Sequence, residues 1–198
     1  MGRPRGDTRE KLVAAAFESL RLRGYADTSS RGIGELAGVN PALVFYYFES
    51  VDDLLVEALA TSSAARLERY REAVVDTHSL AGLVERLGEH YVGDVASGHV
   101  RVVAELVGAA VSRPELARGV TALLEPWLDL AEQTIVGALE GNPLRELAPA
   151  RELALAMITF YLGANLLTDL MPEQAPVSGL LERGRQLASL VDALQGAG

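Results

Sequence analysis

Thr28-Ser29-Ser30-Arg31-Gly32-Ile33-Gly34-Glu35-Leu36-Ala37-Gly38-Val39-Asn40-Pro41-Ala42-Leu43-Val44-Phe45-Tyr46-Tyr47-Phe48 reads as two short helices around one tight turn. Residues 28–30 open the first helix, whose apolar positions are Ile33, Leu36 and Ala37, and Gly38 stops it. Asn40 before Pro41 predicts an immediate restart. The Asn40 amide oxygen accepts from the new helix, and a proline in the first helical turn gives up an N–H that has no partner there. The second helix is predicted to end near Tyr47 or Phe48. Ile33, Leu36 and Ala37 are placed to pack on Val39, Leu43 and Val44, and Gly34 and Gly38 allow the close approach.

Working outward, Asp7-Thr8-Arg9-Glu10 reads as a capping box ahead of an apolar stripe at Val13, Ala16, Phe17 and Leu20, ended by Gly24. On the other side, Ser50-Val51-Asp52-Asp53 caps a long helix predicted over 51–76. Leu80, Leu83, Val84 and Leu87 mark a further helix, and Val100, Val103, Ala104 and Val107 another. Ser112-Arg113-Pro114-Glu115 leads into Leu116, Val120, Leu123, Leu124, Trp127, Leu128, Ala131 and Ile135, with Pro126 expected to kink or split the run. Gly141-Asn142-Pro143 is a loop. Pro149 opens a helix with Leu153, Ala156, Met157, Phe160, Tyr161 and Ala164 inward, ended at Met171-Pro172, and the last helix carries Leu180, Gly184, Leu187, Val191 and Leu194. No stretch alternates with period two for long enough to make a strand. The expected fold is all-α, about nine helices. Residues 1–50 form a three-helix helix-turn-helix domain, the helix at 51–76 is a linker, and 77–198 form a C-terminal helical bundle.

Composition narrows the function. Of the 198 residues 49% are hydrophobic and 23% charged, enough for a packed core. There is no cysteine, so disulfides and thiolate metal sites are excluded. The longest nearly unbroken apolar run, 153–167, contains Thr159 and Asn165 and falls short of a membrane span. No secretory signal follows Arg3 and Arg5, so a soluble, cytoplasmic protein is expected. Net charge is −9, but residues 1–50 carry seven basic against six acidic groups, and the remainder 11 basic against 21 acidic. A near-neutral head on an acidic body can still dock on phosphate.

In a helix-turn-helix the second helix enters the major groove while the first crosses the backbone. Phe45-Tyr46-Tyr47 in a row cannot all face inward on so short a helix; at least one tyrosine hydroxyl is expected to face solvent or a phosphate, or the row closes the small domain as an aromatic lid. Residues 28–40, then Val44-Phe45-Tyr46-Tyr47-Phe48-Glu49-Ser50 and Asp53-Leu54-Leu55, resemble the DNA-binding signature of the TetR family, with agreement over about residues 8–59. Gly34 stands where alanine is usual, Phe45 where tyrosine is, and Val51 where a phosphate-clamping lysine is common. Asn40 to Tyr47 contains no Lys or Arg. The resemblance implies backbone contacts from Ser29, Ser30, Tyr46 and Tyr47, and base reading from Arg31, Asn40, Pro41 and Ala42. Arg31 suits bidentate bonding to guanine or pairing with a nearby acid, and Arg3, Arg5 and Arg9 are candidates for added phosphate or minor-groove contacts.

The same resemblance implies a dimer that binds a small-molecule effector through its helical body. Gly163, Ala164, Leu167, Leu180, Gly184, Leu187, Ala188 and Val191 are dimer-interface candidates, because the last two helices are apolar over more than one stripe; the alternative is that these helices are central in one subunit. His90, Tyr91, Glu105, Trp127, Phe160, Tyr161 and Asn165 are ligand-binding candidates, being polar or aromatic groups on apolar faces, and each is open to an ordinary core role. The small residues around them suit an apolar or aromatic effector. His78, His90 and His99 have no metal-ligand spacing, and neither a phosphate loop nor a nucleophile motif is present; no metal, no cofactor and no catalysis is expected. The expectation is a repressor, a homodimer on a pseudo-palindromic double-stranded operator, released by a small-molecule effector. The alternative is a helical ligand- or protein-binding module with weak DNA affinity.

Overall fold

The computed structural model describes residues 5–75, 77, 79–141, 143–146, 149–171 and 177–195, apart from the side chains of residues 5, 143, 144, 165, 169, 178, 194 and 195. Among these residues the protein is all-α: α1 (Arg5–Arg23), α2 (Ser30–Ala37), α3 (Ala42–Tyr47), α4 (Val51–Val74), α5 (Leu80–Ser97), α6 (His99–Ala110), α7 (Pro114–Ala138), α8 (Ala150–Leu170) and α9 (Val177–Gln195), with a 3-10 turn at Pro143–Glu146. None of the described helices is long and apolar enough to cross a membrane. Packing divides the chain into two compact units, Met1–Ala65 with Gly98–Leu123, and Arg66–Ser97 with Leu124–Gly198.

In the first unit α1 buries Leu12, Val13, Ala15, Ala16 and Leu20, the i, i+3, i+4 stripe of an amphipathic helix. Ile33, Val44, Phe48, Leu54, Leu55, Ala58, Leu59, Val100, Val102, Leu106, Leu116 and Val120 are buried in the same unit. Each such branched or aromatic side chain contributes about 1.5–3 kcal/mol relative to exposure. Ser19 is buried but satisfied: its hydroxyl lies 2.9 Å from that of Thr28, which also donates to Gly24 O at 2.7 Å.

In the second unit Val74, Leu83, Ala131, Ile135, Ala138, Leu139 and Ala154 form one core, and Tyr91, Ala164 and Val177, with Tyr161 and Leu181 against them, another. The Asp192 carboxylate of α9 accepts from Leu80 N (3.0 Å) and Ala81 N (2.9 Å), satisfying donors at the start of α5 where the helix dipole favours negative charge.

Several expectations need correction. Helix α1 begins at Arg5, so Asp7 lies inside the first turn and pairs with Lys11 at 2.6 Å instead of capping. Of the two outcomes expected at Pro126, a kink or a split, the split does not occur: α7 runs on to Ala138. Leu36 is 41% exposed, because Gly34 takes the contact with the following helix. Ala156 and Phe160 (47% exposed), expected inward, face outward in the single chain, on the same footing as the interface candidates Leu180 (51%) and Leu187 (65%). The inward stripe runs through Ala154, Tyr161 and Ala164 on α8, and through Val177, Leu181, Gly184 and Ala188 on α9. Helix α4 ends at Val74. Arg3, His78, Asn142, Pro172 and the side chains of Arg5, Asn165 and Leu194 lie outside the described residues.

Candidate nucleic-acid interface

Helices α2 and α3 take their geometry from three local devices. The extended backbone of Ser29 (φ −143°, ψ 158°) lets its hydroxyl accept from Gly32 N at 3.2 Å, so Ser29 is the cap of α2. Gly38 adopts the left-handed conformation (φ 66°) that ends α2, and Val39 N donates back to Gly34 O at 3.0 Å, closing the turn. Asn40 Oδ1 then accepts from Ala42 N at 2.9 Å, and Val44 N donates to Pro41 O at 3.1 Å, so Pro41 lies in the first turn of α3. A Cβ on Gly34 would stand 2.9 Å from the Pro41 Cα, so α2 meets α3 at a distance only glycine permits.

From α3, Val44 is fully buried and Phe48, its C-cap, is 7% exposed. Ala42, Phe45 (61%) and Tyr46 (59%) face solvent, and Tyr47 is half-buried with its ring edge-on to Tyr46 at 4.9 Å. The rod at residues 42–47 is thus bolted to its unit by one face and open on the other. Ser29, Arg31 and Asn40 are exposed, and Ser30 and Pro41 half-buried. Ser29, Ser30, Arg31, Asn40, Pro41, Ala42, Tyr46 and Tyr47 lie on the α2–α3 pair or next to its helix starts, whereas Arg9, a candidate for added contacts, lies on α1.

The cations of this unit are largely engaged. Arg31 Nε donates to Glu35 at 3.0 Å, Arg9 pairs with Glu57 and lies 5.0 Å over the Phe48 ring, Arg21 pairs with Glu18 at 2.7 Å, and Arg113 with Asp52 at 3.5 Å. Ser50 and Asp53 form a capping box at the start of α4, with Asp53 N donating to Ser50 Oγ at 3.0 Å and Ser50 donating to Asp53 Oδ2 at 2.8 Å.

Two groups that steady the head carried no sequence motif. The Glu105 carboxylate of α6 accepts from Tyr25 N at 2.8 Å, next to Gly24 at the end of α1. Tyr25 OH donates to Asp52 Oδ1 at 2.8 Å, with Arg113 over its ring at 5.2 Å. Burial pushes the Tyr25 phenol up to about 12, with the bond to Asp52 adding and Arg113 opposing. Glu105 therefore serves the helix-turn-helix unit. The other ligand candidates belong to the second unit.

There, Asp94 is the centre of a polar knot. Its Oδ2 accepts from Tyr70 OH (2.7 Å) and Tyr161 OH (2.9 Å), and its Oδ1 from Arg66 Nε (3.0 Å). The Tyr70 ring lies 4.8 Å from His90 and 5.2 Å from Trp127, and Tyr91 packs edge-on to Tyr161 at 5.5 Å. Burial first, and then the Asp94 charge, raises Tyr70; burial, the Tyr70 phenol and Asp94 raise Tyr161. The structure thus brings together His90, Tyr91, Trp127 and Tyr161, and adds Arg66, Tyr70 and Asp94. Phe160 faces outward. Asp94 did have a signal: it falls on the apolar stripe Leu83, Leu87, Tyr91, where a carboxylate must find partners. A surface cavity of about 420 Å³ lies elsewhere in the unit, lined by Glu72, Ala73, Thr77, Ser79, Gly82, Glu85 and Arg86. On the dimer candidates, Leu167, Leu180 and Leu187 are exposed and Gly163 has open space at its Cβ position, whereas Gly184 faces Val84 of α5 and Ala164 and Ala188 are buried. Val191 is half-buried.

Comparison with known proteins agrees with this geometry. The "Fatty acid metabolism regulator protein" of Bacillus subtilis (strain 168) is 20% identical over 164 residues, covering 83% of this chain and 84% of the relative. "HTH-type transcriptional regulator UidR" of Escherichia coli (strain K12) is 23% identical over 110 residues, and there the chain spans only 55% of the relative's length. The crystal structure of the transcriptional regulator FadR from Bacillus subtilis in complex with stearoyl-CoA superposes with a TM-score of 0.75 at 16% identity, over 90% of this chain and 96% of that one. Residues 12–58, from α1 through the first turns of α4, match the family described as bacterial regulatory proteins, tetR family. With its second helix exposed, this stretch is similar to the DNA-binding segment of that family, and the described helices share the fold of the regulator they superpose on.

Proposed function

We propose that the protein is a repressor that binds a pseudo-palindromic operator as a homodimer and leaves it when a small apolar or aromatic molecule occupies the helical body. The observation that carries the DNA half of this reading is α3, anchored by Val44 and Phe48 with Ala42, Phe45 and Tyr46 open to solvent. Two such rods related by a two-fold axis match two half-sites. Residues 5–65 and 98–123 serve as the DNA-binding part and the second unit as the effector and dimer part. An outward stripe on α8 (Phe160, Leu167, Leu170) and another on α9 (Leu180, Leu187, Leu190) supply the apolar area for a four-helix interface between copies. Tyr91, Tyr161, Trp127 and His90, around the Asp94 knot, are the effector contacts, and the ligand acts by favouring a DNA-incompetent arrangement of α4. The protein works in the cytoplasm without catalysing a reaction.

The engaged cations and the uncharged α3 favour a second reading, a helical binding module with weak DNA affinity. A gel-shift assay on the region flanking its own gene, run across a salt series, separates the two. Specific binding that is lost in Arg31→Ala supports the repressor, and no shift at low salt supports the binding module.

A further inference from the structure

We propose that Phe45 is a specificity-determining residue that reads thymine: its ring, with Ala42 one turn earlier on the same face of α3, packs on thymine C5-methyl groups in the major groove. The proposal rests on the DNA-binding role of α3 and adds what that helix selects.

Phe45 is 61% exposed on a helix that already buries Val44 and Phe48, so its ring is not required to hold the helix down. Of the aromatic row at 45–47 it is the one ring without a hydroxyl, and it can neither donate to a phosphate nor bond a base edge. Helix α3 carries no Lys or Arg, and Arg31 on α2 is held by Glu35. Ala42 and Phe45, three residues apart, share an apolar strip on the open side of α3, next to the Tyr46 ring and its hydroxyl. Among the groups that bases display in the major groove, the thymine methyl is the apolar one. A phenyl ring pressed on any other base edge would strip water from a donor or acceptor without replacing it, which disfavours that base. Selection of thymine thus follows from attraction to the methyl and from exclusion of the polar edges.

The test uses the full-length protein and duplexes enriched by it from a random pool at low salt. Each thymine of the enriched half-site is replaced in turn by deoxyuridine, which removes only the methyl, and affinity is read by fluorescence anisotropy. One or two positions should lose about three- to five-fold on removal of the methyl. Phe45→Ala should bind more weakly and lose that sensitivity at the same positions, while Phe45→Leu keeps part of it. Deoxyuridine replacement without effect, or a Phe45→Ala protein as sensitive as the parent, overturns the inference and leaves DNA binding standing. Failure to enrich any duplex overturns the DNA-binding role together with it.

Discussion

Arg31 Nε donates to Glu35 Oε1 at 3.0 Å across one turn of α2, so an exposed cation beside α3 is already held by an acid of its own helix. On the proposed DNA-binding role, a phosphate or guanine would compete with Glu35 for Arg31, and the Glu35 charge would oppose the duplex. Glu35→Gln should therefore raise affinity for non-specific duplex DNA by about three- to ten-fold at low salt. It should also steepen the plot of log K against log salt by about one unit, the signature of one added phosphate contact. Anisotropy titrations from 50 mM salt upward check both; a slope equal to the parent's would mean that Arg31 does not reach the backbone.

Gly34 sets the spacing of α2 and α3, because an added Cβ would meet Pro41 Cα and Cγ at 2.9 Å. Gly34→Ala should cost about 1–3 kcal/mol of stability, as overpacking at a site bounded by backbone does, despite alanine being the better helix former. Urea denaturation gives the figure. DNA binding should weaken as well, since α3 is displaced.

Asp94→Ala should destabilise the protein by about 3–5 kcal/mol, the range found when one partner of a buried ion pair is removed. The loss leaves the Arg66 guanidinium, whose side chain is 14% exposed, and two phenols without their shared acceptor. A change of less than about 1 kcal/mol in chemical denaturation would show that the knot relaxes or admits water.

Alkaline pH gives a check on the first unit. The folded Tyr25 phenol titrates at about 12 against an ordinary 10, so the native state holds that proton more tightly than the unfolded chain. Stability from this group is complete below pH 10 and lost as pH rises through 12. Tyr25→Phe should flatten the decline of the melting temperature over that interval. It should not abolish it, because Tyr70 and Tyr161 are raised in the same direction.

The exposed α9 stripe predicts association. Leu187→Glu, at a position 65% exposed in the single chain, should leave the fold intact and shift the particle from dimer to monomer in light scattering. Operator binding should fall with it. A parent protein that is itself monomeric at micromolar concentration would remove this interface.

What the sequence revealed, and what it hid, follows the range of the interactions. The caps at Ser29, Asn40 and Ser50, the stop at Gly38 and the α2–α3 turn are contacts between residues at most five apart, and each was legible from residue type and spacing. The all-α layout was legible too, because apolar period survives along the whole chain. Contacts that span 24 to 80 residues were not: Glu105 to Tyr25, Tyr70 and Tyr161 to Asp94. Inward and outward faces of α8 and α9 were also obscured, since Phe160, Leu180 and Leu187 are apolar yet exposed in one chain, and period alone does not tell a core from an interface. Asp7 misled because a carboxylate in the first turn and one at the cap position present the same residue types to the eye.

The bond from Tyr25 N to Glu105 bears on how such proteins are shuffled. The helix-turn-helix stretch shares its compact unit with a segment from 98 to 123, contributed by the middle of the polypeptide. A hybrid made by grafting the first fifty residues onto another helical body would arrive with an uncapped corner. Exchange of operator preference, by an engineer or by recombination, should succeed more often when both pieces travel together.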